Sequence, residues 1–282
     1  MALVSVKQAL LAAQAGGYAL PLFDTFDMAA TDGMFQAFEA KRAHACIGLY
    51  GGFFERPNAR ANVAYIRECA ATAKVPVSLM LDHGASFEQC VLAISLGFTD
   101  VMFDGSRLPL EENIAQTRLV VRAAHAVGVA VEAELGHVGS GREYQSFGAK
   151  RLGFTDPAAV ERFVAETGVD FLAVAIGTAH GVYQGEPQLD LDLLREIRRR
   201  VEIPLVMHGG SGLSDAQFRG AIEAGIAKVN VATELFMTSA QRITEAARAR
   251  ELSYFDISRI AATTFQERCG FYIDLFGAAG RV

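Results

Sequence analysis

Apolar runs of four to six residues alternate eight times along this chain with longer stretches in which apolar residues return every third or fourth position. The runs are Tyr18 to Phe23, Ala45 to Tyr50, Pro76 to Leu81, Asp100 to Asp104, Val129 to Glu134, Phe171 to Ile176, Pro204 to Met207 and Ala227 to Val231. Most are rich in Val, Ile, Leu or Phe without strict polar alternation, the pattern of parallel strands covered on both faces. The intervening stretches carry helix starts: Ser86 ahead of the run to Leu96 and Gly97, Thr155-Asp156-Pro157 as cap and first-turn proline, and Ser214 ahead of Asp215 to Ala224. Strand and helix repeated eight times predict an α/β fold, a (β/α)8 TIM barrel, in which Thr233 to Phe276 forms the last barrel helix and extra C-terminal helices. A doubly wound open sheet is the competing arrangement, but the G-x-G-x-x-G fingerprint expected after its first strand is missing.

Composition narrows the picture. With 282 residues, 51% of them hydrophobic, the chain has the length of one barrel, and no linker divides residues 1–282 into separate domains. The apolar runs are short and interrupted by charge, and Lys7 lies inside an amphipathic N-terminal stretch rather than a signal peptide, so a soluble cytoplasmic protein with no membrane partner is expected. Cys46, Cys69, Cys90 and Cys269 are widely separated and form no C-x-x-C pair, which favours reduced thiols. A formal charge of −6 gives no support to a nucleic-acid partner. It also requires any anionic substrate to be held by local groups such as backbone N–H donors.

The polar residues fall at the ends of the predicted strands. Asp82 and His83 end the third, Asp104 the fourth and Glu134 the fifth; His180 follows the sixth, His208 the seventh, and Asn230 lies late in the eighth. In a barrel all of these share the C-terminal rim, where active sites are built. His83, His180 and His208 each stand where a strand gives way to glycine, and three imidazoles can close on one divalent metal. Gly209-Gly210-Ser211-Gly212 and Asn230-Val231-Ala232-Thr233 offer backbone N–H groups, hydroxyls and a helix N-terminus to a phosphate. The other histidines take plainer roles, His44 and His125 as structural or solvated residues and His137 in a local hydrogen bond. Lys228, the one strand lysine that could suggest a Schiff base, is read as structural.

Leu81-Asp82-His83-Gly84, Val101-Met102-Phe103-Asp104-Gly105-Ser106, Val131-Glu132-Ala133-Glu134-Leu135-Gly136, Ala173 to Gly181, His208 to Gly212, Lys228 to Glu234 and the tail Leu275 to Gly280 together resemble one family over essentially the whole chain. It is the class II, zinc-dependent ketose-bisphosphate aldolases, in their tagatose- and fructose-bisphosphate branch. The resemblance implies that His83, His180 and His208 bind Zn²⁺ or another divalent ion, with Asp104 and Glu134 as a second metal position and a monovalent cation as a further cofactor. It implies that Asp82 is the acid/base at the carbon–carbon bond, and that Gly181, Gly209, Gly210, Ser211, Asn230, Val231, Ala232 and Thr233 hold the phosphate of dihydroxyacetone phosphate. The partner would be a phosphorylated sugar, and the protein a homodimer or homotetramer.

The chain also departs from the family near the substrate. Where the family has Gly-Gly-x-Glu-Asp after the fifth strand, with its glutamate handling the proton at C3, this chain reads Gly139-Ser140-Gly141-Arg142-Glu143. Ungapped, Arg142 takes the glutamate's place, and Glu143 takes the role if the loop shifts by one residue. The loop from Gly136 to Phe154 is expected to close over substrate. The family's Phe-Asn after the first strand is Phe23-Asp24, which makes Asp24 a substrate-binding candidate, and Met80 and Tyr50 replace smaller or more polar residues. An active aldolase on a phosphorylated ketose or related sugar acid is the leading reading. A paralogue that binds sugar phosphate without normal turnover is the second, and a metal-dependent hydrolase the third.

Overall fold

A computed structural model describes residues 3–54, 56–141 and 151–282. Arg142 and Glu143, with the rest of the stretch 142–150 of the predicted closing loop, lie outside the described residues. The described strands are β1 (Leu20–Asp24), β2 (Ala45–Tyr50), β3 (Val77–Gly84), β4 (Asp100–Phe103), β5 (Ala130–Leu135), β6 (Gly139–Ser140), β7 (Phe171–Val174), β8 (Ala179–His180), β9 (Leu205–Met207) and β10 (Ile226–Val231). Eight of them close into a barrel in the order β1-β10-β9-β7-β5-β4-β3-β2, every neighbouring pair parallel. This is the predicted TIM barrel. The pair β6 and β8, which the hydrophobic pattern did not reveal, forms a separate two-stranded parallel ladder on the rim. At two residues each, these strands are too short to carry a periodicity.

Local chemistry sets the helix starts. Ser86 accepts from the Gln89 N–H, Asp156 from the Ala158 N–H just ahead of Pro157, and Ser214 and Gln217 cap one another reciprocally. The C-terminal chain forms two helices, Thr233–Ala249 and Tyr254–Leu275. The second packs on the helix Met28–Lys41 so closely that a Cβ on Gly33 would stand 2.2 Å from the Ala262 carbonyl oxygen. An N-terminal helix, Lys7–Gly16, rests against β1 and β10 and is pinned to the N-terminal end of the barrel by Asp100, which accepts from the Val6 N–H (3.1 Å) and the Ser5 hydroxyl (2.6 Å). Among the described residues no helix is long and apolar enough to cross a membrane.

Most strand limits differ from expectation by one to three residues, and two of the differences fall at site residues. β3 runs on to Gly84 rather than stopping at Leu81, and β4 stops at Phe103, so Asp104 is the first residue of the following loop. β3 outlasts its apolar run because the strand continues on backbone pairing that hydrophobicity does not report.

Candidate active site

Asp82 and His83 are consecutive, and in a regular strand consecutive side chains point to opposite faces. β3 avoids that. Its pairing with β4 runs Leu81 to Val101 and then Gly84 to Phe103, three steps against two, which is a one-residue bulge. His83 takes a left-handed backbone conformation (φ 51°) at this bulge, so both side chains line the same cavity.

The three predicted histidines come together. His83 Nε2 lies 3.1 Å from His180 Nε2 and 2.9 Å from His208 Nδ1. Each outer ring nitrogen has its own acceptor: Asp104 Oδ2 for His83 Nδ1 (2.8 Å), the Val138 carbonyl for His180 Nδ1 (3.2 Å) and Glu132 Oε1 for His208 Nε2 (2.7 Å). With the outer nitrogens donating, the three inner ones are lone pairs aimed at one another, an arrangement that a cation satisfies and a proton satisfies only in part. Zinc ligands about 2.0 to 2.1 Å from the ion sit roughly 3.3 Å apart in a tetrahedron, close to the spacing found here. The donor set therefore fits a divalent metal.

Asp104 and Glu134 gather at the other nitrogen of His83, Glu134 Oε2 lying 4.0 Å from Nδ1. That oxygen is buried without a hydrogen-bond partner, while Oε1 accepts from the Val138 N–H (3.0 Å). Asp82 sits at the cavity floor, where the Asn230 side-chain amide donates to it (2.7 Å). Asp24 lines the same floor and is buried, with Oδ1 unpartnered. Glu132, which the strand-end reasoning passed over, is wholly buried inside the barrel between His208 Nε2 and the Lys228 ammonium (2.8 Å). Its signal was the alternation Val131-Glu132-Ala133-Glu134, which places both glutamates on one strand face, just as Lys228 and Asn230 share one face of β10. Lys228 is accordingly a structural ion-pair partner. His44 bonds to Ser78 Oγ (2.7 Å), His125 to Asp170 (2.9 Å) and His137 to Ser106 Oγ (3.0 Å), in keeping with their plainer roles.

A cavity of about 820 Å³ opens over these groups, and Gly181, Gly209, Gly210, Ser211, Asn230, Ala232 and Thr233 line it. Val231 is buried and does not line the cavity through its side chain. Gly209 and Gly181 have φ of 72° and 86°, and a Cβ on Gly209 would meet the Ala179 carbonyl oxygen at 2.5 Å, so this turn tolerates no side chain. The helix Thr233–Ala249 begins at the cavity with no side-chain cap, and Ser211 Oγ accepts from the Glu234 N–H (3.1 Å). The family model described as fructose-bisphosphate aldolase class-II matches residues 4–281.

The chain belongs to this family. It is 40% identical over 260 residues to a Bacillus subtilis protein named "Probable fructose-bisphosphate aldolase", covering 90% of each chain, and 39% identical over 246 residues to the fructose-bisphosphate aldolase of Staphylococcus aureus, covering 86% of this chain and 85% of that one. The crystal structure of the YdjI aldolase of Escherichia coli superposes with a TM-score of 0.89 at 33% identity, over 99% of both chains. A class-II aldolase is a carbon–carbon lyase whose family depends on a metal, and the aldolase site described above is built for charge. Burial would lower the His83 pKa, but the carboxylates of Asp82, Asp104 and Glu134 outweigh it and push it up to about 10: the place attracts a positive charge. Burial, then the neighbouring imidazoles, lower His180 to about 3, so it stays unprotonated. Burial and then Asp104 raise Glu134 to about 8. Burial and then the adjacent Asp82 raise Asp24 well above the usual carboxylate range, whereas the charges of His83, His208 and Lys228 overcome the burial of Asp82 and hold it low.

Proposed function

We propose that this aldolase reversibly cleaves a phosphorylated ketose, of fructose- or tagatose-bisphosphate type or a related sugar, to dihydroxyacetone phosphate and an aldehyde. His83, His180 and His208 would hold the divalent metal, Zn²⁺ before other ions, and the convergence of three inner nitrogens with satisfied outer ones is the observation that carries this reading. The bound metal supplies Lewis-acid stabilisation for the negative charge that develops on the ketone fragment. Asp82, held anionic and oriented by Asn230, accepts the C4 hydroxyl proton during cleavage and returns it during condensation. Gly181, the turn Gly209 to Ser211 and the segment Asn230 to Thr233 that leads into the helix cradle the phosphate through backbone N–H groups, with a monovalent cation as an additional counter-charge. Asp104 orients His83, and with Glu134 provides a second metal position. Asp24 contacts the substrate beside Asp82, and on sequence grounds alone the C3 proton is assigned to Glu143, with Arg142 as an anion-binding neighbour.

The enzyme is proposed to act in the cytoplasm on a small-molecule substrate, without nucleic acid or membrane, as a homodimer or homotetramer. Tyr254 and Phe255, 81% and 84% exposed, support a self-associating face. The test of the reading is cleavage of fructose and tagatose 1,6-bisphosphate before and after chelation. Activity should vanish with the metal and return with Zn²⁺. Full turnover by a verified metal-free protein would remove the histidine assignment.

A further inference from the structure

Arg107 stands in the cavity wall, exposed, on the loop that follows β4, and it is the sole Lys or Arg among the described lining residues. No carboxylate among the described residues pairs with it: Asp104, the nearest in sequence, is engaged by His83 and the Ser106 N–H, and Glu111 by Arg162. A surface arginine beside acidic residues ordinarily finds one of them, so a free guanidinium facing a cavity is available to a ligand.

Its carrier is rigid. Leu108 N–H closes a turn onto the Gly105 carbonyl (2.9 Å), Ser106 N–H is held by Asp104 Oδ1 (3.1 Å), and Ser106 Oγ is tied to His137 (3.0 Å). Gly105 is pressed against Asn113, where a Cβ would meet Oδ1 at 2.2 Å. The turn that presents Arg107 is thus fixed from three sides. In the closed order β1-β10-β9-β7-β5-β4-β3-β2, β4 lies four strands from β10 in either direction. Arg107 therefore sits across the rim from Ala232 and Thr233, with the histidines and Asp82 between the two.

We propose that Arg107 determines substrate specificity by binding a second oxyanion, on the end of the ketose farthest from the phosphate held at β9 and β10. The proposal rests on the aldolase reading above, because that reading fixes which half of the substrate lies at the glycine-rich turn. A ketose anchored there by its C1 phosphate, with its reacting bond over Asp82, directs its aldehyde half toward β4. The guanidinium fork matches either a terminal phosphate or a terminal carboxylate in two parallel hydrogen bonds, which a neutral hydroxymethyl end does not offer.

The experiment measures kcat/KM for wild type, Arg107→Ala and Arg107→Lys on three substrates: fructose 1,6-bisphosphate, a 2-ketohexuronate 1-phosphate, and fructose 1-phosphate, whose far end is neutral. Wild type should prefer one or both anionic-ended substrates, which also tells phosphate from carboxylate. Arg107→Ala should reduce the ratio of anionic-ended to neutral-ended kcat/KM by about 10- to 100-fold, mostly through KM, and Arg107→Lys should restore the phosphate ratio more than the carboxylate one. A preserved ratio in Arg107→Ala, or a wild type that cleaves fructose 1-phosphate best, overturns the role of Arg107 and leaves the aldolase reading intact. A wild type that cleaves none of the three overturns both.

Discussion

At the scale of single residues, Asp82 and the pair Glu132 and Lys228 separate chemistry from scaffolding. Asp82→Ala should lower kcat by about 10²- to 10⁴-fold while the zinc content measured by atomic absorption stays near one per chain, because the ligand nitrogens belong to other residues. Near-normal turnover would rule out its role as the proton acceptor. Lys228→Met has the opposite profile. It removes the counter-charge of Glu132 in the barrel interior, and breaking one partner of a buried pair costs about 3 to 5 kcal/mol, to be read from urea denaturation. It should also weaken metal retention, since Glu132 fixes the tautomer of His208. Borohydride trapping of substrate on Lys228 would contradict this scaffolding role. The three histidines were legible in the sequence because each stands alone before a glycine at a strand end. Glu132 was not, because a buried acid inside an apolar strand is meaningful only when the facing strand supplies Lys228.

At the scale of elements, two buried groups at the N-terminal end of the barrel pull stability in opposite directions with pH. His44, bonded to Ser78 between β2 and β3, is pushed by burial down to about 4. The unfolded chain binds that proton from about pH 6.5, so its contribution is complete above 6.5 and is lost as pH falls toward 4. Asp100, which holds the N-terminal helix, is raised by burial to about 6, so the folded state gains a proton first and stability is recovered as pH falls from about 6 toward the ordinary carboxylate value. Each shift corresponds to about 3 kcal/mol, and they offset. Urea melts between pH 4 and 7 should show that His44→Gln becomes progressively more stable relative to wild type on acidification, and Asp100→Asn progressively less. Parallel pH profiles for all three proteins would reject the account. Eight strands and their helices could be read from periodicity because each buries a face. The ladder of β6 and β8 could not, because it is defined by where two loops cross rather than by what they bury.

At the scale of the whole molecule, the proposed metal site couples strands distant in sequence: His83 on β3, His180 on β8 and His208 just beyond β9. A ligand that binds only the folded barrel stabilises it by mass action, about 2.7 kcal/mol at a free concentration one hundred times its dissociation constant. The melting temperature of the metal-free protein should therefore rise with added Zn²⁺, and a His180→Ala variant should lose most of that rise; an equal rise in the variant would place the ion elsewhere. Sedimentation of wild type against Tyr254→Ser/Phe255→Ser would report whether the exposed aromatic face joins subunits, with an unchanged mass counting against it. The barrel itself was legible because its repeat is built eight times over. The far wall of the cavity was not, since Arg107 is an ordinary surface arginine until the closed strand order sets it opposite the glycine-rich turn.

The bulge in β3 has a consequence for how this chain can change. An aspartate and a histidine that are neighbours in sequence share one cavity only because three residues of β3 span what two span on β4. Inserting one residue between Leu81 and Gly84 would break this count and send one of the pair outward among the helices. Neither side chain would need to be altered for the enzyme to lose its proton acceptor or its ligand. Asp82, His83 and the spacing around them are therefore a single inherited unit, open to exchange of residues at its flanks and closed to any change in its length.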